Sequence, residues 1–171
     1  MPTLARAAVF ATSFAALTAC VLTMAAAGTT PVGLFTEKGE PKGWSVHAWD
    51  DVSKPGPEGA KWTVDENGVL NGSEPRGTWL VSDKEYGDFT IEFDWKLGER
   101  GNSGFGVRFP PKGDPAFDGM EIQMNDVRYN NGTDAPPLKD RPRRGHIGFQ
   151  ELSRGGAHVM IKNVVLTELG Q

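Results

Sequence analysis

A single cysteine, Cys20, is present in 171 residues, so no disulfide can form within the chain and the fold must rest on its core. Histidine is almost as scarce. His47, His146 and His158 lie in separate segments, and no H-E-x-x-H pairing or cysteine set supplies ligands for zinc. There is no G-x-S-x-G elbow. Gly101 to Gly106 is spaced G-x-x-G-x-G and runs into a strand, unlike a dinucleotide-binding turn. Neither a metal nor a cofactor is expected. Excess positive charge is missing too: 18 Lys and Arg face 22 Asp and Glu, and 17 (18 − 1) basic residues remain without Arg6. That balance argues against a nucleic-acid surface, which wants a strongly basic face. The one basic cluster, Lys139 to Arg144, contains Asp140 and Pro142 and reads as a solvated loop.

What is present begins with an apolar run. Arg6 precedes Ala7 to Ala19 and Val21 to Ala27, the pattern of a secretory signal over residues 1–27. Two exits are open. Ala25-Ala26-Ala27 satisfies an A-x-A cleavage rule and would leave Gly28 first. Leu17-Thr18-Ala19-Cys20 resembles a lipobox, which would end the signal at residue 19 and put a lipid anchor on Cys20. Either exit predicts export: periplasmic, secreted or held at the cell envelope. Residues 28–171 remain as one domain.

Almost nothing in that domain reads as helix. Short β-branched and aromatic runs are broken by Gly, Pro, Asn and Asp at intervals of about ten residues, which predicts a β-sandwich or barrel. Asn67-Gly68, between Trp62-Thr63-Val64 and Val69-Leu70, predicts a hairpin with a type I′ turn. Phe89, Ile91, Phe93, Trp95 and Leu97 alternate with polar residues, a half-buried strand. His146 to Gln150 predicts a strand with Ile147 and Phe149 inward. Val159 to Leu169 predicts a closing strand, bulged at Lys162-Asn163 where the alternation slips. Gly56 to Ala60, Pro110 to Pro115 and Gly132 to Pro137 read as loops. Trp62 and Trp95 are expected in the core. Trp44, Trp49 and Trp79 lie nearer loops, where an indole serves either as a core aromatic or as a sugar platform.

The densest chemistry sits on two alternating segments. Over 101–109, Gly104, Gly106 and Arg108 share one face, and Ser103, Phe105, Val107 and Phe109 the other. Over 120–126, Glu121, Gln123 and Asn125 line one face, and Met120, Ile122 and Met124 the other. An arginine, a carboxylate and amides on one surface, with glycines leaving room above the backbone, suit a hydroxyl-rich ligand. A two-carboxylate glycosidase needs a pair flanking the scissile bond. Glu121 has only amides beside it, with Asp126, Glu92 or Asp94 as distant candidates. A lone base beside a cation suits proton removal next to a carbonyl, with Glu121 taking the proton and Arg108 holding the enolate oxygen. The same two residues also make an ordinary exposed cross-strand ion pair.

The chain resembles the 3-keto-disaccharide hydrolase (3-keto-glycoside lyase/hydratase) family. The matching features are Gly43-Trp44, Trp62-Thr63-Val64, Gly68-Val69-Leu70, Tyr86-Gly87-Asp88-Phe89, Asp94-Trp95, Gly101-Asn102-Ser103-Gly104 and Arg108. Glu121-x-Gln123 with Asp126, Arg144-Gly145-His146-Ile147-Gly148-Phe149-Gln150 and Ile161-Lys162-Asn163-Val164-x-Leu166 come after them. The resemblance implies an all-β concanavalin A-like jelly roll with a sugar cleft on its concave face. It implies cleavage of glycosides oxidised at sugar carbon 3, by elimination and hydration. Glu121 and Arg108 fall on family positions as catalytic candidates, and Asn102, Gln123, Asp126, His146 and Gln150 as substrate-binding ones.

Two features depart from the family pattern. Only Val127 to Arg143 fills the gap where the family carries a long stretch with a G-E-W-N segment, so two or more strands are expected to be missing. Gln150-Glu151-Leu152-Ser153 stands where Gln-Asp-His-Gly is usual, without that histidine. Open sheet edges would then invite a second copy of the chain. Three readings result: an enzyme on a carbohydrate substrate, a non-catalytic carbohydrate-binding module, or an assembly domain. The first requires Arg108, Glu121 and Gln150 to share one groove.

Overall fold

The computed structural model describes residues 30–125, 140–154 and 158–170. The expected signal segment with Cys20, and Asp126, lie outside them. The strands are β1 (Val32–Gly33), β2 (Trp44–Ala48), β3 (Trp62–Val64), β4 (Leu70–Gly72), β5 (Thr78–Ser82), β6 (Phe89–Lys96), β7 (Asn102–Phe109), β8 (Met120–Asn125), β9 (His146–Glu151) and β10 (Met160–Glu168). One short helix, α1 (Pro115–Asp118), precedes β8, within a stretch whose composition reads as loop. Asp114 caps it, accepting the Ala116 N–H at 2.9 Å, and Pro115 supplies a preset first residue.

Two antiparallel five-stranded sheets form the expected sandwich. In the first, β10 pairs with β6 along one side and with β4 and β1 on the other, and β3 pairs with β4. The second runs β2-β5-β9-β7-β8. Between them lies the core. Trp62, Val64, Leu70, Ile161, Val164 and Leu166 meet Leu80, Phe105, Met124, Ile147 and Phe149 from the facing sheet. Phe149 is central: its ring lies 5.0 Å from Phe105 and 5.2 Å from Phe93, the latter edge-on. Sheets stacked with roughly 10 Å between them leave room for one interdigitated layer of such rings.

Most of the alternation holds, and β10 slips between Lys162 and Val165 with Asn163 at φ 55°, as expected. Three details differ. The β3–β4 hairpin is closed over three residues, because Asp65 captures the Asn67 and Val69 amides at 2.8 and 3.0 Å. Only Gly68 then needs a left-handed φ, +73°, so the turn is not type I′. Trp95, expected in the core, is 48% exposed, at the far end of the edge strand β6. The third difference is at Arg108, where β7 changes register against β9 between Gly106 and Phe109. Arg108 takes φ 53° there, a bulge that inverts the facing of the rest of the strand.

Among the described residues, one side of the sandwich is open. Between the edge strands β6 and β8 lies a cavity of about 520 Å³, lined by the apolar residues Phe89, Ile91, Phe105, Val107, Met120 and Ile122 together with Arg108, Glu121 and Arg141. Ile122, on the apolar face of β8, remains 60% exposed. No helix among the described residues is long and apolar enough to cross a membrane.

Candidate functional site

The second sheet turns Phe105 and Phe149 to the core, so Asn102, Gly104, Gly106, Gly148, Gln150 and, on β8, Glu121 and Gln123 belong to its outer face. Gly104 pairs with Gln123 and Gly106 with Glu121. Continuing the register in which Phe105 faces Phe149 sets Gln150 beside Gly104. Four of the expected residues, Asn102, Glu121, Gln123 and Gln150, therefore share one surface.

Glu121 leans across β7 and fills the gap left by Gly104. A β-carbon there would sit 2.5 Å from the carboxyl carbon. Glu121 Oε1 is buried and has no hydrogen-bond partner among the described residues. Burial, with the charge of Asp114 adding to it, pushes the Glu121 carboxyl up to about 7. Asp114 is itself raised by burial first, with Asp118 and Asp50 pushing the same way. The amides beside Glu121 are fixed. Gln123 Nε2 donates to Asn102 Oδ1 at 2.8 Å and to the Ser103 carbonyl at 2.9 Å. Both of its hydrogens are thereby used, which leaves Oε1 as an acceptor for a ligand hydroxyl.

Arg108 lines the cavity between β6 and β8 together with Glu121, but its guanidinium is engaged elsewhere and does not reach the amides. Nε donates to the Gly87 carbonyl at 3.0 Å and Nη2 to Asp88 at 2.8 Å, at the crossover from the second sheet to β6. The bulge at Arg108 is the physical reason: it breaks the alternation that would have carried the guanidinium to the face of Gly106. Phe109 takes that place instead. Its ring comes 2.7 Å from where a β-carbon of Gly106 would stand, with Trp79 at 3.1 Å, and it also overlies Gly148. The room expected above Gly104 and Gly106 is thus occupied in this state, by a carboxyl and by two rings. Trp79, Phe109, Val81 and Val52 form a second small apolar cluster on the outer face.

His146 is likewise drawn away. Its Nδ1 lies 2.7 Å from the Ser82 carbonyl, an N–H donor contact, and its ring packs against Phe109. Asp126 lies outside the described residues. Sequence reasoning missed Asp114, because nothing local marks its proximity to Glu121, and it missed Glu151. The Glu151 side chain is fully buried on the inner face, where its two oxygens accept the Ser153 and Val159 N–H groups, each at 2.7 Å. No group of three or more His, Cys, Asp or Glu placed to hold a metal ion occurs among the described residues.

The site is thus a half-buried carboxyl beside ordered amides on one face of a two-layer β-sandwich. The sequence pattern of the 3-keto-alpha-glucoside-1,2-lyase-like domain matches residues 32–136, more than half of the chain, and the chain belongs to that family. A crystal structure from Parabacteroides distasonis ATCC 8503, described as a "putative glycosyl hydrolase", shares the fold with a TM-score of 0.52. It is 19% identical, and the match covers 77% of this chain and 91% of that one. No curated protein matches the chain.

Proposed function

We propose that this protein is an exported enzyme that cleaves 3-keto glycosides, with Glu121 as general base. A ketone at sugar carbon 3 acidifies the C2–H. Glu121 takes that proton, and the electron pair of the broken C–H bond moves onto the carbonyl oxygen as an enolate. The enolate then re-forms the ketone, making a C1–C2 double bond while the C1 substituent leaves with a proton. Water adding across that double bond gives net hydrolysis.

One observation carries this reading: a carboxyl raised to about 7 whose buried oxygen is left without a partner. A base near neutrality is partly ionised at working pH and strong enough to take a proton. The Gln150 amide, beside Gly104, is the neighbouring donor for the developing oxyanion, a role not given to Arg108, which Asp88 engages. Gln123, held by Asn102, accepts a sugar hydroxyl. In the Glu121→Gln variant, turnover of a 3-keto disaccharide should fall by about 10² to 10⁴, with the protein still folded. Unchanged turnover would overturn the assignment.

The packing of Phe109 and Trp79 over the glycines favours a second reading, a non-catalytic carbohydrate-binding module. Saturable binding of a 3-keto disaccharide in calorimetry, with no product after prolonged incubation, would select it.

A further inference from the structure

Among the described residues the two sheets leave edges at β1, β3 and β6 and at β2 and β8, and all but one are guarded. The loop after β2 covers its outer edge: the Ala48 N–H donates to the Lys54 carbonyl at 3.1 Å and the Gly56 N–H to the Val46 carbonyl at 3.2 Å. β3 is met by Gly39, which bonds Val64 through both its N–H and its carbonyl, at 2.9 and 2.8 Å. β1 is only two residues long. β6 carries Glu92, Asp94 and Lys96 in alternation along its length. Cover, brevity and charge each keep an edge from pairing with another chain. β8 has none of the three. Its one charged residue, Glu121, is folded back onto Gly104, and Ile122 is 60% exposed.

The ladder fixes which backbone groups β8 offers. The Asn102 N–H donates to Ser153 Oγ at 3.2 Å and its carbonyl accepts the Leu152 N–H at 3.0 Å, so Asn102 points away from β8. Direction alternates along a strand, which turns Ser103, Phe105 and Val107 toward β8. The Ser103 carbonyl, accepting Gln123 Nε2, agrees. Their register partners Met124, Ile122 and Met120 bond back to β7. The N–H and carbonyl groups of Glu121 and Gln123 therefore face outward, and no described residue takes them.

The geometry points to a two-fold dimer in which β8 pairs antiparallel with β8 of a second copy and the second sheet runs on through both. With the axis at Ile122, Glu121 of each copy exchanges backbone bonds with the partner's Gln123, and Met120 lies opposite the partner's Met124. Ile122 meets its own counterpart on the inner face, at the mouths of the two clefts, and no like charges are opposed. An axis at Glu121 would oppose two carboxyls, and one at Gln123 would spend the exposed Ile122 on Met124, which is already buried. A six-residue edge covers less than the ~1,200 Å² of a lasting interface, so the dimer dissociates on dilution.

Sedimentation velocity of the full chain, carrying Cys20→Ser to remove its one thiol, should give a sedimentation coefficient that rises with concentration. Ile122→Lys sets two like charges at the axis and is expected to weaken association by more than about tenfold. Gln123→Pro deletes an outward N–H while sparing the ladder to β7, and should weaken it likewise with the protein still folded. Ile122→Cys should cross-link the dimer under mild oxidation, since this kind of pair holds its Cα atoms about 4.5 Å apart, and Met120→Cys should not. A monomer at every concentration, association undiminished in both Ile122→Lys and Gln123→Pro, or a cross-link absent at Ile122 or as strong at Met120 would overturn the pairing.

Discussion

Glu121 and Glu151 belong to the same sheet, and both carboxyls are withdrawn from water, but on opposite faces and with opposite hydrogen bonding. Glu151, facing the core, has both oxygens satisfied by backbone amides of the segment that leads from β9 to β10. His158 Nδ1 lies 3.5 Å away, and Gly72 of the opposite sheet gives the carboxyl space. Glu121, on the outer face, has an oxygen with no partner and an acidic neighbour in Asp114. A buried charge with donors on both oxygens holds structure together. One left short of donors is a cost to stability, and such sites cluster where chemistry is done. The contrast separates the two glutamates without reference to their position in the sequence.

The comparison can be broken most forcefully at Glu151. Glu151→Leu should remove both acceptors from buried amides and cost on the order of 3 kcal/mol, read as a large fall in the melting temperature. A melt within a degree of the parent would show that the carboxylate does not staple this segment. The pH dependence of stability gives the opposite sign at Glu121. Its folded carboxyl titrates at about 7 against an ordinary 4.5, so the folded protein binds the proton more tightly. Stability should fall as pH rises from about 4.5 through 7, by on the order of 2–3 kcal/mol. Denaturant melts of Glu121→Gln should lack that slope, leaving the variant the more stable protein at pH 8 and nearly equal at pH 4. Parallel curves would refute the raised carboxyl. The smallest effect is expected at Arg108. Its partner Asp88 is largely exposed, so Arg108→Ala should change stability by about 1 kcal/mol or less and turnover only a few-fold. A loss of activity comparable to that of Glu121→Gln would return the enolate role to Arg108.

The strands were legible because their alternation is strong. Ile147 and Phe149 in β9 and the slip at Lys162-Asn163 needed only the period of the side chains. The pairing of Glu121 with Gln123 came from the same rule, while Asn102 came from the family resemblance. What failed depended on long-range packing. A bulge at Arg108 is invisible in Val107-Arg108-Phe109, because the shift arises from pairing with β9, not from local propensity. The glycines at 104 and 106 are gaps, as their residue type implies, but the sequence alone does not say what fills a gap. Here it is Glu121 itself in one case and Phe109 with Trp79 in the other. Asn67-Gly68 favours a two-residue turn by composition, and the carboxylate of Asp65 redirected it. Trp95 has the right spacing for burial but stands at the end of an edge strand, where spacing and cover part company.

The lean of Glu121 onto Gly104 ties occupancy to protonation. A molecule that settles against that bare stretch of backbone meets the acid there, and by keeping water from it holds its affinity for a proton high.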